Sequence, residues 1–262
     1  MENEEWITGK IAVNISGVPL EMEMTVPAVP VKPHRMLPIF QRMTSAIVDI
    51  GVDAVEAGGE RISCKAGCGA CCRQPVPISE TEVYQIAELV DSMPEPRRTE
   101  IKRRFQEANA YFEKIGWFDK LNDHFERFRG TDGLQAVGEA TDIVLEYFHA
   151  GIPCPFLEDE SCSIHPDRPI ACREYLVTSP AENCAKPTAA TVNVVKLLIK
   201  PSRTMKKLGA TGRLDRFGFL TLVRALDLAE KVSEDFGSKS GPEWVKDFFS
   251  ELSNSPAAVR PR

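Results

Sequence analysis

All eight cysteines of this chain fall into two short groups, and that grouping constrains the fold more than any other feature. Cys64, Cys68, Cys71 and Cys72 lie within nine residues, and Cys154, Cys162, Cys172 and Cys184 within 31. A chain of 262 residues, 43% of them hydrophobic, is long enough to bury a core of its own without covalent staples. Its opening, Met-Glu-Asn-Glu-Glu-Trp, has no basic stretch followed by an apolar run, so no signal peptide and a cytoplasmic setting are expected. Disulfides tend to be reduced there, and grouped thiols read first as metal ligands. The competing reading is buried thiols or disulfides. Four cysteines in nine residues, interleaved with two glycines, make a poor core pattern for it.

Charge and hydropathy remove other classes. Lys and Arg total 32 against 38 Asp and Glu, a net charge of −6, which argues against a general nucleic-acid binder. The most apolar run, Val192–Ile199, is interrupted by Asn193 and Lys196, so no membrane span is expected.

The periodicities predict a mainly α fold: an irregular cysteine-rich core surrounded by helices, with an N-terminal β-hairpin. Ile11, Val13 and Ile15, then Leu20, Met22, Met24 and Val26, alternate with polar or small residues about a Ser-Gly-Val-Pro turn at 16–19. Prolines 27, 30, 33 and 38 mark an extended connector. Helical stripes follow: Phe40 to Ala54, ending at Gly58-Gly59; a capping box at Ser79–Glu82 opening a helix through Val90; Ile101 to Ile115; Phe118 to Phe128; and Leu134 to Phe148. Further helices are expected over 212–234 and 242–253. The implied organisation is a hairpin (1–30), a helical domain (31–253) holding the cysteine core (60–185), and a disordered tail (254–262). His34, His124 and His149 lie off the cysteine loops and read as surface or packing residues.

Spacing gives the cysteines a geometry. The x3 and x2 gaps of Cys64, Cys68 and Cys71 let three sulfurs turn toward one centre, and Gly67 and Gly69 let backbone N–H groups approach them. Adjacent side chains on extended backbone point opposite ways, so Cys72 either serves a second centre or sits on bent backbone. The second group has gaps of seven, nine and eleven residues, too long for a zinc knuckle of its own. Prolines 153, 155, 166 and 169 make it stiff and loop-like. Such a loop holds sulfurs in place only by packing against something, and the first group is the expected partner. Metal ligation is therefore expected of Cys64, Cys68, Cys71, Cys72, Cys154, Cys162, Cys172 and Cys184 together.

The string Cys-x3-Cys-x2-Cys-Cys, followed by Cys154-Pro-Phe-Leu, Cys162-Ser-Ile and Arg168-Pro-Ile-Ala-Cys172-Arg-Glu-Tyr175, resembles the YkgJ-type cysteine-cluster (CxxCxxCC) family of zinc- or iron-chelating proteins. The resemblance covers roughly residues 60 to 185 on about a dozen motif positions. It departs in the x3 gap after Cys64, where the family label implies x2, and in His165, where members often carry Tyr. The resemblance implies metal binding and leaves the metal and reaction open. Flagellin lysine methylases carry a similar motif, which implies a methyltransferase as a minor reading, although no Gly-rich nucleotide fingerprint supports it.

Cysteine-only ligation suits zinc or an iron–sulfur cluster. Cys64, Cys68 and Cys71, with Cys154-Pro155 as a distant fourth ligand, are compatible with [4Fe–4S], the favoured cofactor. That reading makes a redox protein with a protein redox partner. The alternatives are a zinc protein with a structural or partner-binding role, and a metal carrier. Arg168 and Arg173 would compensate thiolate charge or, on the plainer view, pair with Asp167 or Glu174 to fix the loop. Tyr175 would pack over the centre or fill core. Glu158, Asp159 and Glu160 read as a solvated acidic loop. No hydrolytic or phosphate-binding motif appears, and no substrate is identified.

Overall fold

The computed structural model describes residues 5–15, 17–128, 140–188 and 190–254. Strands β1 (Trp6–Ile15) and β2 (Val18–Pro27) pair antiparallel from Trp6↔Pro27 to Ile15↔Val18. An isolated two-stranded hairpin is marginal in water, so this one depends on what covers its apolar face. The cover is α1 (Leu37–Ala57) and the C-terminal α9 (Gly241–Asn254). Ile15, Met24 and Val26 share one buried cluster with Phe40, Met43 and Phe248, the rings of Phe40 and Phe248 stacking at 5.3 Å. Gly241 is needed at this joint, because a Cβ there would lie 2.5 Å from the Pro27 carbonyl oxygen. Val31 exchanges backbone hydrogen bonds with Lys239, and its carbonyl also accepts from the Trp244 indole at 2.7 Å. The proline connector is thus pinned to the end of the chain, with a 3-10 turn at Pro33–Met36.

A second cluster gathers α2 (Glu80–Asp91), α3 (Arg97–Lys114) and α8 (Ala225–Lys231). The capping box that opens α2 is complete: Ser79 Oγ accepts from the Glu82 N–H, and Glu82 accepts from the Ser79 N–H at 2.8 Å. A third cluster, aromatic, joins α3 to α4 (Trp117–Arg127) and α5 (Thr141–Ala150). There Phe112 stacks on Tyr147 at 3.8 Å, and the Trp117 indole donates to the Ile143 carbonyl. Of the stripe predicted for α5, Leu134 and Val137 lie outside the described residues, as does most of the predicted tail.

The remaining elements are short: β3 (Leu157–Glu158) and β4 (Ser161–Cys162), then α6 (Ile170–Glu174) and α7 (Pro201–Met205). The helix expected over 212–234 is not continuous, and only 225–231 is α-helical. Two local causes break it. Gly218 adopts φ +72° so close to Asn122 that a Cβ would meet Oδ1 at 2.0 Å. Leu220 and Leu222 then pair by backbone hydrogen bonds with Ile78 and Val76, pulling this stretch into an extended conformation. Mainly α with a terminal hairpin is the observed class, and among the described residues no helix is long and apolar enough to cross a membrane. His34 and His124 are buried packing residues, while exposed His149 hydrogen-bonds the Pro187 carbonyl.

Candidate metal centre

The two cysteine groups meet. Cys154 N–H donates to the Cys72 carbonyl at 2.7 Å, and Ser63 N–H to the Val177 carbonyl at 2.9 Å, stitching the first loop to both ends of the second. Gly69 makes the closest approach, since a Cβ there would lie 2.5 Å from both the Glu160 carbonyl oxygen and Leu157 Cδ1. Asp159 and Glu160, with φ of +48° and +53°, form the two-residue turn between β3 and β4. Arg73 clasps that turn, with both Glu160 carboxylate oxygens accepting at 3.1 and 2.6 Å. The acidic run expected to be merely solvated therefore docks the second loop on the first.

Seven thiols are half-buried and Cys184 is buried, and all eight are free. They line two neighbouring cavities. One, of about 70 Å³, is bordered by Cys68, Cys71, Cys72, Cys154, Cys162 and Cys172. The other, of about 220 Å³, is bordered by Cys64, Cys68, Cys71, Cys172 and Cys184. Cys68, Cys71 and Cys172 border both. Cys64 and Cys154, grouped with Cys68 and Cys71 by sequence spacing, border different cavities, with Cys68 and Cys71 common to both. Cys72 shares a cavity with Cys71 because the backbone bends: Cys72 N–H bonds the Gly69 carbonyl and Gln74 N–H the Cys71 carbonyl. The Cys71 thiol donates to the Cys72 sulfur.

No three Cys, His, Asp or Glu side chains among the described residues converge tightly enough to bind one ion. The sulfurs instead surround a space. Several receive a backbone donor: the N–H of Val177 faces Cys64, that of Phe156 faces Cys154, and that of Ile164 faces Cys162. Such N–H···S contacts stabilise thiolates and tune cysteine-held metals. Burial works against them. It raises Cys64 and Cys162, pushes Cys154 to about 12 and Cys184 to about 11, and drives Cys172 up together with the nearby Cys154, Cys71 and Cys162. Cys71 is raised first by its bond to Cys72 and then by burial. A cationic centre is the natural counterweight to that desolvation, because it favours the thiolate form. Soft sulfur donors facing a common space, with N–H groups aimed at them, fit a cysteine-ligated metal or cluster.

Of the three flanking residues singled out in the sequence, Arg168 and Tyr175 border the thiol cavities and Arg173 borders neither. Arg168 borders both cavities and donates from Nη1 toward His165 Nε2 at 2.6 Å, while its Nε is buried without a partner. That contact occupies one ring nitrogen of His165, whose pKa is lowered by burial and by Arg168 and Arg173. Arg173 donates to Ser45 Oγ at 3.0 Å and to the Pro166 carbonyl. The loop-fixing ion pairs to Asp167 or Glu174 do not form among the described residues; Glu174 turns away and accepts from Ser202 N–H and Oγ. Tyr175 borders the larger cavity, and its hydroxyl donates to the Cys184 sulfur.

Residues that hold the loops were not legible beforehand. Gln41 on α1 donates to the Asp167 and Arg168 carbonyls at 3.0 and 3.3 Å. Glu82, already used by the capping box, also accepts from Ile170 N–H at 2.8 Å. Arg104 on α3 reaches the Pro155 and Leu157 carbonyls, and Phe105 packs edge-on to Phe156. A larger cavity of about 830 Å³ between α2, α3 and α8 contains no cysteine.

No curated protein and no solved structure matches the chain. Residues 63–191, the span that carries all eight cysteines and the loops just described, match the family CxxCxxCC, described as a "putative zinc- or iron-chelating domain". Over this segment, just under half of its length, the chain is similar to that family.

Proposed function

We propose that the eight cysteines hold an iron–sulfur centre, [4Fe–4S] in the favoured form, used for redox or electron-transfer chemistry with a protein partner. The supporting observation is that Cys68, Cys71 and Cys172 border two thiol-lined cavities at once while, among the described residues, no donors converge on a point. A structural zinc draws four donors to about 2.0–2.3 Å from one ion. A cluster spreads its sulfurs over a larger inorganic body. When bound, it supplies one-electron transfer at a potential set by hydrogen bonds to sulfur and by burial. The residues of this chain contribute the rest. Val177, Phe156 and Ile164 offer N–H groups to sulfur, Arg168 and Arg173 bring positive charge, and Tyr175 holds Cys184. A reducing, cytoplasmic setting keeps such thiols available.

The test is anaerobic purification with iron, sulfide and zinc analysis. The expected product is brown, absorbs at roughly 400 nm and contains iron with acid-labile sulfide. Cys172→Ser should remove most of both. Colourless protein with stoichiometric zinc and no sulfide would overturn the cluster and leave a metal that fixes the fold.

A further inference from the structure

Tyr175 borders not only the larger thiol cavity but also a hollow of about 300 Å³ that contains no cysteine. Its walls are apolar. Trp117 and Leu121 come from α4, Val144 and Phe148 from α5, and Phe125 stacks on Phe219 at 4.8 Å. Three cations, Lys200, Arg203 and Lys206, also line it. Among the described residues none of the three has an ion-pair partner, and Lys206 Nζ stands 4.7 Å from the centre of the Phe219 ring. The one acid in the lining, Glu174, accepts from Ser202 N–H at 2.5 Å and Ser202 Oγ at 2.6 Å and acts on Lys200 and Lys206 at longer range, so the lining sets three cations against one carboxylate.

An apolar hollow with a few convergent polar groups is the usual form of a small-molecule site, and this volume lies at the small end of that range. The excess of positive charge selects the ligand. Three positive groups repel a cation and gain nothing from a neutral molecule. A carboxylate, by contrast, accepts charge-assisted bonds from a guanidinium at close range. The aromatic walls favour a ring that offers its face or edge to Trp117, Phe125 and Phe148. We propose that this hollow binds a small aromatic carboxylate, its ring among the α4 and α5 side chains and its carboxylate against Arg203 and the two lysines. The site stands apart from the metal reading, since no cysteine lines it.

Calorimetric titration of the full-length protein with 2-naphthoate, and with the neutral 2-naphthalenemethanol, tests the proposal. Saturable one-to-one binding of the acid is expected, with the alcohol at least about tenfold weaker. Arg203→Gln, at a half-buried position, should weaken the acid about tenfold and leave the alcohol unchanged. Val144→Trp, which fills the hollow, should abolish binding of both; its melting temperature is checked in parallel. If Val144→Trp does not fold, the acid-to-alcohol ratio and Arg203→Gln decide the matter. No saturable binding up to about 1 mM, equal affinity for acid and alcohol, or binding by folded Val144→Trp at the wild-type level would each overturn it.

Discussion

Replacing Gly69 by alanine isolates the contact on which the meeting of the two cysteine loops depends. The new Cβ would lie 2.5 Å from the Glu160 carbonyl oxygen, 2.7 Å from the Glu160 carbonyl carbon and 2.5 Å from Leu157 Cδ1. The leucine end can rotate away. The backbone of the β3–β4 turn cannot, because its pairing of Leu157 with Cys162 and the Ser163 N–H bond to the Phe156 carbonyl hold it. Overpacking against a fixed partner costs about 1–3 kcal/mol, and this site belongs at the upper end. At about 2–4 °C per kcal/mol for a chain of this size, the melting temperature should fall by about 6–12 °C. Gly67→Ala is the internal control. A Cβ there meets nothing within 4 Å, but the φ of +78° costs a side chain of its own, about 1–2 kcal/mol. The two variants therefore separate strain within one loop from separation of the two loops. Thermal unfolding and metal content per chain should show Gly67→Ala mildly destabilised with its metal retained, and Gly69→Ala strongly destabilised with its metal depleted. A Gly69→Ala protein with wild-type melting temperature and metal content would refute the claim that this approach holds the centre together.

Other expectations follow from single groups. Burial lifts Glu174 to about 7, above its ordinary carboxylate value, so the folded chain holds that proton more tightly than the unfolded one. Its contribution is complete below about pH 4.5 and lost as pH rises through about 7, up to about 3 kcal/mol; Glu174→Gln should flatten denaturant-derived stability over that window, and an unchanged slope would exclude the assignment. Gln41→Leu strips the Asp167 and Arg168 carbonyls of their shared donor. It should cost about 1–3 kcal/mol and speed hydrogen exchange in residues 165–173, whereas unaltered exchange there would show that α1 does not brace this loop. The Arg73–Glu160 pair is largely exposed on the glutamate side. A double-mutant cycle should give a coupling of no more than about 1 kcal/mol, and a value several times larger would mean that the clasp stabilises rather than merely aligns. Trp244→Phe removes the donor to the Val31 carbonyl and should lower stability by about 1 kcal/mol; no loss would imply that the carbonyl finds another donor.

How much of this was legible in the sequence depended on the range of the determining interactions. Periodic elements were legible because their signals are local. Ser79 and Glu82 specify a helix start within four residues, and the α1 stripe from Phe40 to Ile47 repeats within a turn or two. The 212–234 helix misled because its interruption comes from distant partners, Asn122 against Gly218 and Val76 and Ile78 against Leu220 and Leu222. Convergence of the cysteines could be argued from the inability of a proline-rich loop to hold sulfurs unaided. Which sulfurs share a cavity could not, since the bend at Gly69–Cys72 and the Cys154–Cys72 hydrogen bond decide it.

The same loop explains why so much ordinary structure surrounds the centre. Between Cys154 and Cys184 the chain offers only two-residue strands, short helical turns and irregular backbone. Ladder hydrogen bonds therefore satisfy few of its polar groups, and others must be met from outside. Gln41 meets two carbonyls from α1, Arg104 two from α3, and Glu82 the Ile170 N–H from α2. Each of these donors or acceptors sits on a helix anchored in an apolar cluster, α1 in one and α2 and α3 together in another. The thiol cage is thus held from three sides by elements that contribute no sulfur. The Glu82 contact carries an added cost, since burial raises its carboxyl above the usual range while three hydrogen bonds and the charge of Arg173 oppose the rise. A buried acid of this kind persists only where its partners need it. One side chain that caps α2 and also fixes the entry to α6, two residues before Cys172, meets that condition.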